Sequence, residues 1–289
     1  AVAGGGAGLQ DRRNDGQAEG GRDEEGDPNS MSLGGNSGGG AGYKLDGSKM
    51  NNANQLAAKS FLSGAVGGDW NGRSRNGGFG GGGNPYNGGG GGGGYDGGDC
   101  TIGGTDHDCY GGSSFGDQLE ANVNDGHGQL VIALMTAGMS GDSTPTAPVV
   151  RKPILELSNC GATGRFGPTQ AACDASYGAD KVQVKDGYQL VTITEAGSYH
   201  LALSGARGGH HGGGKGGFGA RANRTVSLEA GDQLVVAVGQ MGWDNPANAD
   251  WGGAGGGGTF VAKVVASGGE LLSTLGLSVE LLAVAGGGA

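Results

Sequence analysis

Glycine fills 73 of the 289 positions and is concentrated in tracts at 4–8, 34–42, 77–83, 88–98, 208–217 and 252–258. Such a tract has no side chains to bury, and each of its residues loses more backbone freedom on folding than any other type. It becomes ordered only if its backbone donors and acceptors find partners. Two outcomes compete. In one, the tracts are flexible linkers or phase-separating segments. In the other, they form extended helices of the polyglycine II type, with three residues per turn and outward-pointing backbone groups, which satisfy one another when packed side by side. Only glycine permits that approach. Folded elements on both sides of the tracts favour the ordered outcome.

Those elements are strands. Ile154, Leu155 and Leu157, then Tyr188 to Thr194 and Tyr199 to Leu203, alternate in a strand-like way, with turns at Asp186-Gly187 and Ala196-Gly197. Further strands are expected at Arg224 to Leu228, Gln233 to Val238, Thr259 to Val265 and Glu280 to Ala285, and a closing strand at His127 to Leu134. Asn54 to Leu62 carries Leu56, Phe61 and Leu62 at roughly helical spacing and is the one helix expected. The fold class is therefore mainly β, an antiparallel β-sandwich packed with a bundle of polyglycine II helices and little α-helix. Three regions follow: a glycine-rich half at 1–134, a Pro/Thr linker at 135–153 with Pro145, Pro148 and Pro153, and a β-sandwich half at 154–289. The acidic stretch from Asp11 to Asp27 reads as a solvated loop.

A net charge of −10 and a pI near 4.8 argue against a nucleic-acid partner, since phosphate binding draws on Lys and Arg. No apolar run reaches the ~18 residues of a membrane span, so membrane insertion is not expected. The N-terminus lacks the pattern of a signal peptide, and an export signal would lie outside this sequence. Four cysteines allow three pairings; the local one, Cys100 with Cys109 and Cys160 with Cys173, is preferred and belongs to an oxidising, extracellular or cell-surface compartment. Zinc is the rival, although neither pair has ribbon or finger spacing. Asp96, Asp99, Asp106 and Asp108 surround the first pair and offer oxygen ligands for calcium, without an EF-hand pattern. Asn223-Arg-Thr225 is an acceptor triplet for an N-linked glycan, and Ser143, Thr144 and Thr146 are candidates for O-linked sugars. Gly209 to Lys215 approaches a phosphate-binding loop, but Gly216 stands where Ser or Thr is required. His210 and His211 read as solvent-facing residues of a glycine loop. No nucleophile, base and orienting group are recognisably arranged, so neither an enzyme nor a bound cofactor is expected.

The heptapeptide Ala1-Val-Ala-Gly-Gly-Gly-Ala7 recurs as Ala283 to Ala289, a spacing of 282 residues (283 − 1). A tandem array with that period, cut inside a module, explains both copies. The sequence also resembles a known family. Leu155 to Cys160, Thr163 to Gln170 and Cys173 closely resemble the start of the glycine-rich ectodomain of the anaplastic lymphoma kinase and leukocyte tyrosine kinase receptors. The likeness runs on through Tyr199 to Gly217, Leu234 to Gly242, Gly258 to Lys263 and Leu281 to Gly288, then resumes at Gly34 to Gly38, Leu56 to Gly68, Gly77 to Gly83, Gly88 to Gly98 and Asp125 to Gln129. The family order is thus 154–289 followed by 8–134, as a cut repeat requires. The resemblance implies a β-sandwich like that of tumour necrosis factor, packed on polyglycine helices and presenting a cytokine-binding surface. The function expected is that of a structural subunit of an extracellular filament, appendage or sheath, whose partner is itself. The alternative is a ligand-binding or adhesive module, a receptor ectodomain or adhesin tip holding protein or glycan.

Overall fold

The longest apolar stretches become strands that are buried on both faces. The computed structural model describes residues 38–48, 55–70, 75–84, 89–100, 109–137, 148–150, 154–211, 214–245 and 252–289. In chain order, β1 (Gln55–Leu56) and β2 (Asp69–Trp70) form a small ladder. They are followed by β3 (Gln118–Asn124), β4 (Gln129–Ala137), β5 (Pro148–Val150), β6 (Leu155–Leu157), α1 (Gln170–Tyr177), β7 (Gln183–Lys185) and β8 (Tyr188–Thr192). The remainder are β9 (Gly197–Ser204), β10 (Gly219–Leu228), β11 (Gln233–Ala237), β12 (Thr259–Val264), β13 (Glu270–Leu272) and β14 (Leu277–Ala285). One six-stranded sheet has the order β3-β10-β9-β4, with β5 and β6 both paired to the far side of β4; the other has the order β13-β14-β12-β11-β8-β7. The fold is mainly β, and its antiparallel sheets pack as a sandwich.

Two apolar layers hold it together. Leu130, Ile132, Leu201 and Leu203 of the first sheet meet Val191, Leu234, Val236 and Val261 of the second. On the opposite face of the second sheet, Tyr188, Val235, Phe260 and Val284 pack on Tyr43, Phe61 and Phe79 from the glycine-rich half. Phe61 is the hub, stacked on Phe260 at 5.1 Å and edge-on to Tyr188 at 5.4 Å. This second apolar layer explains why β11 and β12 read as near-continuous apolar runs rather than alternating ones. The Asp186-Gly187 turn joins β7 to β8 with φ of 50° and 83°, the two positive values that the hairpin turn needs.

The helix expected at 54–62 is not formed over 55–62, the part of it that lies within the described residues. That segment makes β1 and a 3-10 turn, Phe61–Ser63, which Gly64 ends at a φ of 122°. Burial of Phe61 in the aromatic layer overrides the helical spacing, as tertiary context commonly does to a short weak pattern. Among the described residues the α-helix is α1 instead, where the Thr169 hydroxyl caps the first turn by accepting from Ala172 N at 3.3 Å. Within 135–153, Met135 to Ala137 pair with Pro148 to Val150, so strand occupies both described ends of that stretch.

Candidate functional site

Glycine segments from distant parts of the chain converge beyond the ends of β9, β11 and β14 and ahead of the start of β12, and bond to one another through their backbones. Gly255 N donates to Gly83 O at 2.9 Å, Gly256 N to Gly288 O at 2.7 Å, Gly257 N to Gln240 O at 2.9 Å and Gly258 N to Gly80 O at 2.9 Å. In return Gly255 O accepts from Gly78 N, Gly256 O from Gly93 N and Gly257 O from Ala206 N, at 2.9–3.0 Å. A β-strand has hydrogen-bonded neighbours on two sides only. Residues 254–258 are bonded to segments around 78–83, 93, 206–209, 240–243 and 288, so the block is a three-dimensional lattice rather than a ribbon. A Cβ added at Gly91, Gly255, Gly257 or Gly287 would overlap a backbone carbonyl of a neighbouring segment. The side chain is excluded by geometry.

The second heptapeptide, 283–289, occupies a slot in this lattice. Ala283, Val284 and Ala285 are the end of β14, fully buried and paired with Val261, Phe260 and Thr259 of β12. On the other side Val284 exchanges two backbone hydrogen bonds with Phe115, both at 2.9 Å. Beyond the strand, Gly286 N donates to the Ser114 hydroxyl at 2.9 Å and Gly286 O accepts from Ala220 N at 2.8 Å. Gly287 lies between Gly93 and Gly112, Gly288 between Ala206 and Gly256, and Ala289 O accepts from Gly217 N, all at 2.7–2.9 Å. Cβ atoms at Gly286, Gly287 or Gly288 would run into the carbonyls of Gly112, Gly256 or Gly217.

The four cysteines form the two local disulfides, Cys100–Cys109 and Cys160–Cys173. The first packs against Ala289, with Cys100 Sγ 3.8 Å from Gly38 O. The second lies in the inter-sheet core and ties the chain after β6 to α1. Asp99 accepts from Cys100 N at 2.8 Å, and the Asp96 amide and carboxylate both bond Ser113. Asp106, Asp108, Ser143, Thr144 and Thr146 lie outside the described residues. Among the described residues, no three His, Cys, Asp or Glu side chains are grouped to hold a metal ion. Asn223 sits half-buried in β10, between Gln118 of β3 and Ala202 of β9, with exposed Arg221 and Thr225 on the same face.

One polar cluster has no local signal in the sequence. Arg207, 7% exposed, makes a bidentate pair with Asp244 at 2.8 and 3.1 Å and lies 3.5 Å from Asp125. Burial opposes ionisation of Asp244, but the Arg207 hydrogen bond and the His210 amide outweigh it and hold the carboxyl below its usual range. Burial first, and the Arg207 charge second, push the His127 imidazole down, and its Nδ1 accepts from Met241 N at 3.1 Å. His210 and His211, expected to face solvent, are tethered: His210 Nδ1 accepts from Gly216 N at 3.0 Å and His211 Nδ1 is 3.4 Å from Asn245 Nδ2. The Arg207 charge is shared between the two carboxylates, which ties the turns carrying Asp125 and Asp244 to the lattice segment that carries Arg207. Asp244 and Asp125 are 37 and 82 positions from Arg207 (244 − 207, 207 − 125), so no motif could announce them.

No family model matches the chain. Over 102 residues it is 32% identical to a leukocyte tyrosine kinase receptor of Mus musculus, an alignment that takes in 30% of this chain and 11% of that receptor. The chain is thus loosely related to that receptor, and it spans about a tenth of the receptor's length. Among the described residues, no helix is long and apolar enough to cross a membrane.

Proposed function

We propose that the chain is an extracellular, non-enzymatic structural module, set in series with others like it along a filament, appendage or sheath. The observation that carries this reading is the heptapeptide: the segment that the lattice grips on every side is the one that the sequence contains twice, 282 positions apart. In an array of that period, each body consists of 154–289 of one period and 8–134 of the next. Ala289 and Gly38 both lie against the Cys100–Cys109 disulfide, which suits that continuity. We assign the glycine segments to polyglycine II helices, because neighbours on more than two sides are what a three-fold extended helix offers. Two disulfides and the receptor-like stretch support the extracellular setting.

A second reading is favoured by the comparison itself. The matched relative is a receptor, and a rigid sandwich on a glycine lattice is also a platform for holding a protein or glycan ligand. Electron microscopy of the native material separates the two. Ordered filaments with one body per axial step are the expected result, whereas dispersed monomers that bind a ligand would replace the structural reading with the receptor-like one.

A further inference from the structure

We infer that the slot filled by Ala283–Ala289 is also the docking site for the first heptapeptide, Ala1–Ala7, of a second copy of this chain. The inference rests on the self-associating reading above for modules carried on separate chains, since in one covalent array the two heptapeptides would be a single segment, and it says which contact joins those chains. The slot reads sequence. At its centre it accepts three consecutive glycines and nothing larger, because the carbonyls of Gly112, Gly256 and Gly217 stand where Cβ atoms would be. It flanks them with closed sites for Ala283, Val284, Ala285 and Ala289, each no more than 1% exposed. Ala1-Val-Ala-Gly-Gly-Gly-Ala7 meets every one of these demands, being identical at all seven positions.

Exchange is neutral contact for contact, since each docked heptapeptide releases an identical one. Mass action therefore decides occupancy. In a dilute chain the C-terminal copy holds the slot, because β14 presents it at an effective concentration on the order of millimolar. Where modules are crowded to that level, the first copy of one engages the slot of the next, adding a short segment to β12 and to the lattice as strand addition does.

The test uses the full chain. A Val2→Cys/Phe115→Cys pair places thiols at the position that Val284 shares with Phe115, within reach of a disulfide in such an antiparallel pair. At roughly millimolar concentration, non-reducing electrophoresis is expected to show a ladder of covalent multimers whose mapped linkage is 2–115. Adding Gly5→Val, the counterpart of Gly287, is expected to abolish it. Cross-linked monomers alone, or no cross-link, would overturn the inference. Should Phe115→Cys impair folding, sedimentation of the unsubstituted chain serves instead: concentration-dependent association is expected, and is expected to vanish on removing residues 1–7. Association or native filaments that survive that removal sink the slot exchange but leave the array reading standing. A chain that never associates, from material without filaments, sinks both.

Discussion

At most positions in the lattice a single methyl group is already too large. A Cβ at Gly91 meets the Gly98 carbonyl on one side and the Gly40 amide on the other, and neither is a flexible side-chain tip. Gly91→Val is therefore expected to destabilise by about 3 kcal/mol or more, at the upper end of overpacking penalties. A chemical denaturation midpoint compared with that of Gly126→Ala, whose nearest neighbour would lie 3.9 Å away, measures it. The control should change stability by no more than ~0.5 kcal/mol. His127 makes a different prediction. Its folded pKa lies below the unfolded value near 6.5, so the unfolded chain takes up a proton first as pH falls. Stability is expected to decline from about pH 7 downward, through the window between the unfolded and folded values, and then to level off with respect to this group. His127→Gln should flatten that part of a melting-temperature profile between roughly pH 7 and 5.

At the scale of elements, the Cys160–Cys173 bridge closes a loop of about 14 residues beside the inter-sheet core. Replacing both cysteines with serine is expected to lower unfolding free energy by about 3 kcal/mol, from the loop-closure entropy restored to the unfolded chain. Much of the strand set was legible: β8 to β12 and the end of β14 carry their own alternation or apolar runs, and Asp186-Gly187 announced its hairpin. β3 was missed although Leu119, Ala121 and Val123 alternate, because the run is short and polar between its apolar positions. Helix α1 was missed as well; Thr169 and the alanines after it are its signal, diluted by the adjacent cysteine framework. The reverse error at 54–62 arose because Phe61 is buried by partners more than 100 residues away, Tyr188 and Phe260, which no local window contains. The partners of the glycine segments are equally hidden. A residue without a side chain carries no pattern, so that Gly255 bonds Gly83 and Gly78 is visible only in the folded chain.

As a whole molecule, the body joins two kinds of interior. Around the strands, aliphatic and aromatic side chains fill the space; beyond the ends of β9, β11 and β14, amides and carbonyls fill it instead. These two interiors respond oppositely to temperature. Unfolding the apolar layers raises the heat capacity, whereas exposing peptide groups lowers it. The backbone lattice therefore works against the usual increment, and calorimetry is expected to return less than the ~12 cal/mol/K per residue of ordinary globular proteins. A smaller increment flattens the dependence of stability on temperature. A module built this way keeps nearly the same margin against unfolding in cold water as in warm.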